Sequence, residues 1–176
     1  VAEPPPKSFG EPVKTVIEKS QVPSFLDTHA AELESTTFQV DESIQRLKIL
    51  KKFDRLQITP RVLERDWLWL SIDYGLGNQS IALAEILKAR REKQRYLATE
   101  DGWVDCNSPQ FDILDLLQPD QAERDDRDPA EDGQTIRLRR ADVFHLTAAQ
   151  GQHLHIGGDS RRAAELKKFL DHSPFL

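Results

Sequence analysis

Between Asp66 and Cys106 the chain reads DWLWLSIDYGLGNQSIALAEILKARREKQRYLATEDGWVDC, and this block constrains the fold most because its periodicity keeps changing. Leu68, Leu70, Ile72 and Tyr74 alternate with Trp67, Trp69, Ser71 and Asp73, which predicts a strand whose leucine side meets a core. Gly75 and Gly77 then break the strand. Ser80 is placed to cap a helix running through Glu92 whose buried side is Leu83, Ile86 and Leu87. RYLA and WVDC flank Asp101-Gly102, a dipeptide suited to a tight turn with positive φ, so a β-hairpin follows. Strands and helices without regular βαβ alternation point to an α+β fold: a mixed small sheet, a β-hairpin and several short helices.

The flanking sequence extends this pattern. Residues 1–20, with Pro4, Pro5, Pro6 and Pro12 among charges, have the composition of a flexible extended tail, leaving 21–176 as one α+β domain. Pro23 suits a first helical turn, and Phe25, Leu26, His29, Ala30 and Leu33 fall at helical spacing, predicting one amphipathic helix that ends near Ser35. Thr36 to Val40 reads as a strand, while Ile44, Leu47 and Leu50 recur at helix-like or loop-like intervals. Leu56 to Leu63 surrounds Pro60 and is expected at a sheet edge, because proline cannot donate to a ladder. Phe111, Leu114 and Leu117 predict one or two helical turns with those side chains inward. Residues 118–134 carry many carboxylates and no apolar side chain larger than Ala between the edges, the pattern of a solvated acidic loop. Beyond it, TIRL is strand-like, ADVFHLTAAQ helical, and HLHIGG a short strand and turn. Asp159 or Ser160 then caps a last helix carrying Ala163, Leu166, Phe169 and Leu170.

Charge bounds the function. The 176 residues carry a formal charge of -6, which argues against a protein that coats DNA over its whole surface, since that affinity comes from neutralising phosphates with Lys and Arg. Local basic patches remain open. One cysteine, Cys106, excludes an internal disulfide and a multi-cysteine metal site. No apolar run approaches the roughly 18 residues of a membrane helix, and the N-terminus has no signal-peptide core, so a cytoplasmic protein with no membrane partner is expected. The chain starts with Val1 and contains no Met, as an excised fragment would.

Three motifs invite chemistry, each beside a plainer reading. Asp73 to Ser80, between strand and helix, looks like a nucleotide loop, but Asn78 stands where the phosphate-reaching Lys belongs and Ser80 is displaced by a residue; a glycine turn is the plainer account. His145, His153 and His155, with Cys106 or Asp159, have the residue types of a zinc site, yet lack a Glu-containing helical signature, so surface or half-buried histidines and no metal are expected. Cys106 has no partner at catalytic spacing, and no catalytic residue is assigned. Two basic runs are candidate nucleic-acid contacts: Lys88, Arg90, Arg91, Lys93 and Arg95 at a helix end, and Arg137, Arg139 and Arg140 near a strand. Cations at a helix C-terminus also complement its dipole. Trp67 and Trp69 either belong to a second buried sheet face or form a partner surface.

The block from about Leu47 to Leu117, and more loosely to Gln150, resembles the bacterial Swi/Snf helicase-associated domain, in which a Trp- and Leu-rich strand, a Gly-rich turn like DYGLGNQS, a helix like LAEILKARRE and a dGwV hairpin follow one another. The resemblance implies a non-catalytic accessory module preceding a DNA-dependent ATPase motor, with the motor in cis as partner and double-stranded DNA or a protein partner beyond it. ATP and magnesium would belong to that motor and no cofactor to this chain. A stand-alone protein-interaction module is the alternative, and a divergent nucleotide hydrolase using Gly75 to Ser80 a further one.

Overall fold

The computed structural model describes residues 15–35, 39–100, 102–117, 134–150 and 153–172, and the chain separates into two units, Val1–Val40 and Asp41–Leu176. The first unit holds a 3-10 turn at Lys19–Gln21 and two short helices, α1 (Val22–Thr28) and α2 (Ala30–Leu33). Pro23 sits in the first turn of α1 as its missing N–H allows. The single helix expected through Ser35 is interrupted at His29, whose amide bonds back to the Phe25 carbonyl at 3.0 Å. Of the strand expected at Thr36 to Val40, residues 36–38 lie outside the described residues, and Gln39 and Val40 form no strand. Residues 1–14 of the tail and 118–133 of the acidic loop also lie outside them.

The second unit is an α+β fold with two mixed sheets. Its elements in order are α3 (Glu42–Gln45), β1 (Lys48–Leu50), β2 (Arg55–Leu63), β3 (Trp67–Leu76), β4 (Gln79–Ala82), α4 (Leu83–Arg91), β5 (Tyr96–Thr99) and β6 (Gly102–Asp105). A 3-10 helix at Pro109–Leu116, β7 (Thr135–Arg139), α5 (Arg140–Gln150), β8 (Leu154–Ile156) and α6 (Ser160–Asp171) complete it. The larger sheet runs β4-β3-β2-β8, and β7 lies beside β3 on the same side as β4. The smaller sheet runs β1-β6-β5, with β1 parallel to β6.

β3 is the spine. Leu68, Leu70, Ile72 and Tyr74 are at most 1% exposed, as the alternation predicts, and they share one core with Leu56 and Ile58 of β2, Leu83 and Ile86 of α4, Val143 and Leu146 of α5, and Leu166 of α6. Phe111, Leu114 and Leu117 all point inward. Their spacing of three fits a 3-10 turn, which has three residues per turn. Phe53, Tyr74 and Phe111 form an aromatic triad with centroids 5.1 to 6.0 Å apart. The edge position expected for Leu56 to Leu63 is not observed: β2 lies between β3 and β8. The ladder tolerates Pro60 because β8 pairs only with Leu56 to Ile58, so the proline lies past the end of that ladder, and a bulge follows it before Val62.

Two local expectations are corrected. The glycines do not end β3 and start a helix. Gly77 (φ 58) and Asn78 form a two-residue hairpin loop, and the chain returns as β4 with Ser80 opposite Gly75. Ser80 therefore lies in a strand, and α4 begins only at Leu83 after Ala82, which makes no side-chain cap. The second hairpin forms where predicted, with Thr99 opposite Gly102. Gly102 owes its identity to a neighbour as well: its φ is 145, and a Cβ there would run into the Lys48 carbonyl of β1. Asp159 caps α6 by accepting from the Arg162 amide at 3.1 Å.

Candidate functional site

The first basic run divides by geometry. Arg90 is held inward: its guanidinium donates to the carbonyl of buried Cys106 at 2.6 Å and to Asp115 at 2.6 Å. Arg95 pairs with Asp105 at 3.2 Å and lies 4.9 Å from the centroid of the Tyr96 ring. Lys88, Arg91 and Lys93 are exposed, and among the described residues no carboxylate pairs with them.

Lys93 is unusual in its backbone. α4 ends in a Schellman arrangement, in which the Gln94 amide reaches the Ala89 carbonyl at 2.8 Å and the Lys93 amide the Arg90 carbonyl at 3.1 Å. That motif places Lys93 in the left-handed region at φ 57, where it is the only non-glycine residue among those described. Glycine adopts this conformation without the strain a Cβ brings.

The corner extends beyond what the sequence singled out. Cys106 donates its amide to Arg95, Arg90 reaches the Cys106 carbonyl, and Ser108 donates its hydroxyl to the Lys51 carbonyl, so the ends of β1, α4, β5 and β6 are tied together. Lys51 and Lys52, exposed after β1, thus share the corner with Lys88, Arg91 and Lys93. Their signal in the sequence was the Lys-Lys pair itself, which only gains meaning once β1 is placed beside β6. Glu92 and Asp112 are exposed in the same region, so the patch is basic in excess rather than uniformly.

The second basic run and the tryptophans, separate in sequence, meet on the polar face of the larger sheet. Trp67 lies opposite Arg139, Trp69 opposite Arg137 and Ser71 opposite Thr135. Both indoles are half-buried. Arg137 stacks over them, 4.8 Å from the Trp67 centroid and 5.6 Å from that of Trp69, and pairs with Glu64 at 3.2 Å. Arg139 makes two 2.9 Å bonds to buried Asp142, and this hydrogen bonding holds its guanidinium above the usual range. Arg140 leaves that face: it donates to the Glu64 carbonyl at 3.0 Å and covers the Phe169 ring at 4.7 Å. These three arginines are therefore engaged within the fold, unlike Lys88, Arg91 and Lys93 at the end of α4.

The nucleotide-loop geometry is not formed at Asp73 to Ser80, because a two-residue hairpin occupies the position where backbone amides at a helix N-terminus would cradle phosphate. His145, His153 and His155 are exposed, and among the described residues no three ligand-type side chains gather as a metal site. Cys106 is fully buried, and its thiol is pushed up to about 11 by desolvation first and by Asp105 second, against Arg90. Among the described residues no helix is long and apolar enough to cross a membrane.

Fold and surface define an α+β module with a cation-rich corner on its smaller sheet and an arginine-stacked tryptophan face on its larger one. Comparison with protein-family models, curated proteins and solved structures finds no match.

Proposed function

We propose that this chain is a non-catalytic accessory domain of a Swi/Snf-type DNA-dependent ATPase, and that it couples the motor in cis to double-stranded DNA through Lys88, Arg91 and Lys93 of the α4 corner. The observation that carries the reading is Lys93: a cation occupies a left-handed position where glycine is less strained. Backbone strain kept at an exposed charged side chain is the kind of outlier from which function is inferred. Lys88 and Arg91 lie at the same helix end and are not neutralised by described carboxylates. ATP and magnesium would act on the motor, in the cytoplasm.

The test is duplex binding followed by fluorescence anisotropy between about 50 and 200 mM salt, where log affinity falls with a slope of roughly 0.9 per phosphate contact. Replacing Lys88, Arg91 and Lys93 together with Ala should weaken binding and flatten the slope by about 2 to 3. An unchanged slope would remove the corner from the interface. The motor half is tested in the gene: the reading frame beyond Leu176 should encode a Gly-Lys-Thr loop and an Asp-Glu metal box, and a stop codon there would sink the accessory reading.

A second reading, a protein-interaction module working through Trp67 and Trp69, is favoured by one observation. Their sheet face carries two half-buried indoles bridged by Arg137. Iodide should quench both tryptophans if that face is the docking surface, and protection from iodide would weaken the reading.

A further inference from the structure

On the opposite side of β3 from the tryptophans, α5 and α6 flank an apolar groove of about 870 Å³. Its walls are apolar, with Leu63, Leu68, Phe144, Leu166 and Phe169 among the lining residues. The charged groups around it are Arg140 and Lys168 against the single carboxylate of Glu165, and the imidazoles of His145 and His172 complete the polar lining. Arg140 spends its hydrogen bond on a backbone carbonyl, and no described carboxylate neutralises it or Lys168. A cationic rim on a chain whose formal charge is -6 is a local reversal of the protein's character. Apolar walls with a few convergent polar groups, at a volume within the usual range of several hundred Å³, are the general form of a small-molecule site.

We propose that this groove binds an anionic amphiphile, a carboxylate on an alkyl chain, with the chain along Leu63, Phe144, Leu166 and Phe169 and the head at Arg140 and Lys168. The inference is independent of the accessory-domain reading, since the groove lies apart from the α4 corner. Apolar burial would supply most of the affinity, and the rim would select the sign of the head group.

Titration calorimetry with dodecanoate, below its micelle concentration, tests it on the 176-residue chain, with dodecyltrimethylammonium as the cationic match. Dodecanoate should bind at one site and the cation at least about tenfold more weakly. Lys168→Glu reverses an exposed rim charge and should lower dodecanoate affinity about tenfold, while Ala141→Trp, which fills the groove from α5, should abolish binding with the urea midpoint retained. Equal binding of the two amphiphiles, or dodecanoate binding that survives Ala141→Trp, would overturn the proposal. So would binding only to a chain ending at His172, because the groove would then belong to residues 173–176. Failure of dodecanoate alongside capture of an acidic amphipathic helical peptide would likewise overturn it, making the groove a protein dock.

Discussion

Replacing Lys93 with Gly should make the protein more stable and bind DNA less well, two effects that a merely structural lysine would not combine. At φ 57 the Lys93 Cβ costs about 1–2 kcal/mol that glycine avoids. Glycine gives back part of this, about 0.4–1 kcal/mol, through the greater freedom of the unfolded chain. The net gain is about 0.5–1 kcal/mol, and for a chain of this length each kcal/mol moves Tm by about 2–4 °C, so a rise of about 1–4 °C is expected. The Schellman bonds from Gln94 and Lys93 involve only backbone and survive the change. Removing one phosphate contact should flatten the salt dependence of duplex binding by about 0.9. Calorimetric melting and anisotropy titrations at several salt concentrations measure both, with Lys93→Ala as the control that loses the charge but keeps the Cβ. Ala should therefore match Gly in DNA binding without its gain in Tm. A Gly variant that melts lower would refute the strain argument, and one that melts higher with an unchanged salt slope would refute the use made of it.

Arg90, beside Arg91 in sequence, should behave oppositely: Arg90→Ala leaves the carbonyl of buried Cys106 without its charged donor, at a cost of about 1.5–3 kcal/mol in urea melts, with Asp115, 64% exposed, adding at most about 1 kcal/mol. An unaltered urea midpoint would show that Arg90 is not the clamp described. Phe111→Ala removes a fully buried ring from the Phe53–Tyr74–Phe111 triad and should cost about 3–5 kcal/mol; a loss below about 1 kcal/mol would mean that the triad is not part of a packed core. Cys106 titrates at about 11 in the fold against 9.0 for a free thiol. A raised pKa favours the folded state fully below the unfolded value and loses that benefit as pH climbs through the folded one. Stability should therefore fall by an amount on the order of 2–3 kcal/mol between about pH 9 and 11, and Cys106→Ala should remove that part of the alkaline slope; an identical slope in the variant would show that other groups cause it.

How far the fold was legible depended on how local its causes were. Leu68, Leu70, Ile72 and Tyr74 alternate along one strand and are buried as that pattern requires. Phe111, Leu114 and Leu117 needed only a helical turn, and Asp159 only its own helix end. Ser80 failed because its role is set across the sheet: pairing of Gly75 with Ser80 and Asp73 with Ala82 gives the segment a ladder that outcompetes a cap. β1 is three residues long, and its extended state is imposed by parallel pairing with Gly102 to Val104, distant in the chain. The candidate surfaces show the same limit. That Arg90, Arg91 and Lys93 are cations at a helix end was plain, but which of them the core retains depends on the Cys106 carbonyl and Asp115. The meeting of Trp67 and Trp69 with Arg137 and Arg139 required the β3–β7 register.

The overall charge bears on why such a corner would be an accessory rather than an independent DNA binder. A chain of formal charge -6 meets duplex DNA with net repulsion at long range, so attraction must come from the few exposed cations at contact. On the proposed reading, contacts from Lys88, Arg91 and Lys93 would amount to about three phosphates, and affinity of that size collapses as salt rises. Tethering changes the arithmetic. A module held beside DNA by a motor in the same chain binds intramolecularly, at an effective concentration reaching millimolar with a short linker, and a weak patch then orients DNA without arresting a translocating motor. A module that worked alone would need the opposite, a surface whose own affinity suffices. The arginines that could have enlarged the patch are instead spent inside the fold, Arg90 on the Cys106 carbonyl and Arg95 on Asp105, which on the proposed reading would leave the corner in a weak regime that a tether makes useful.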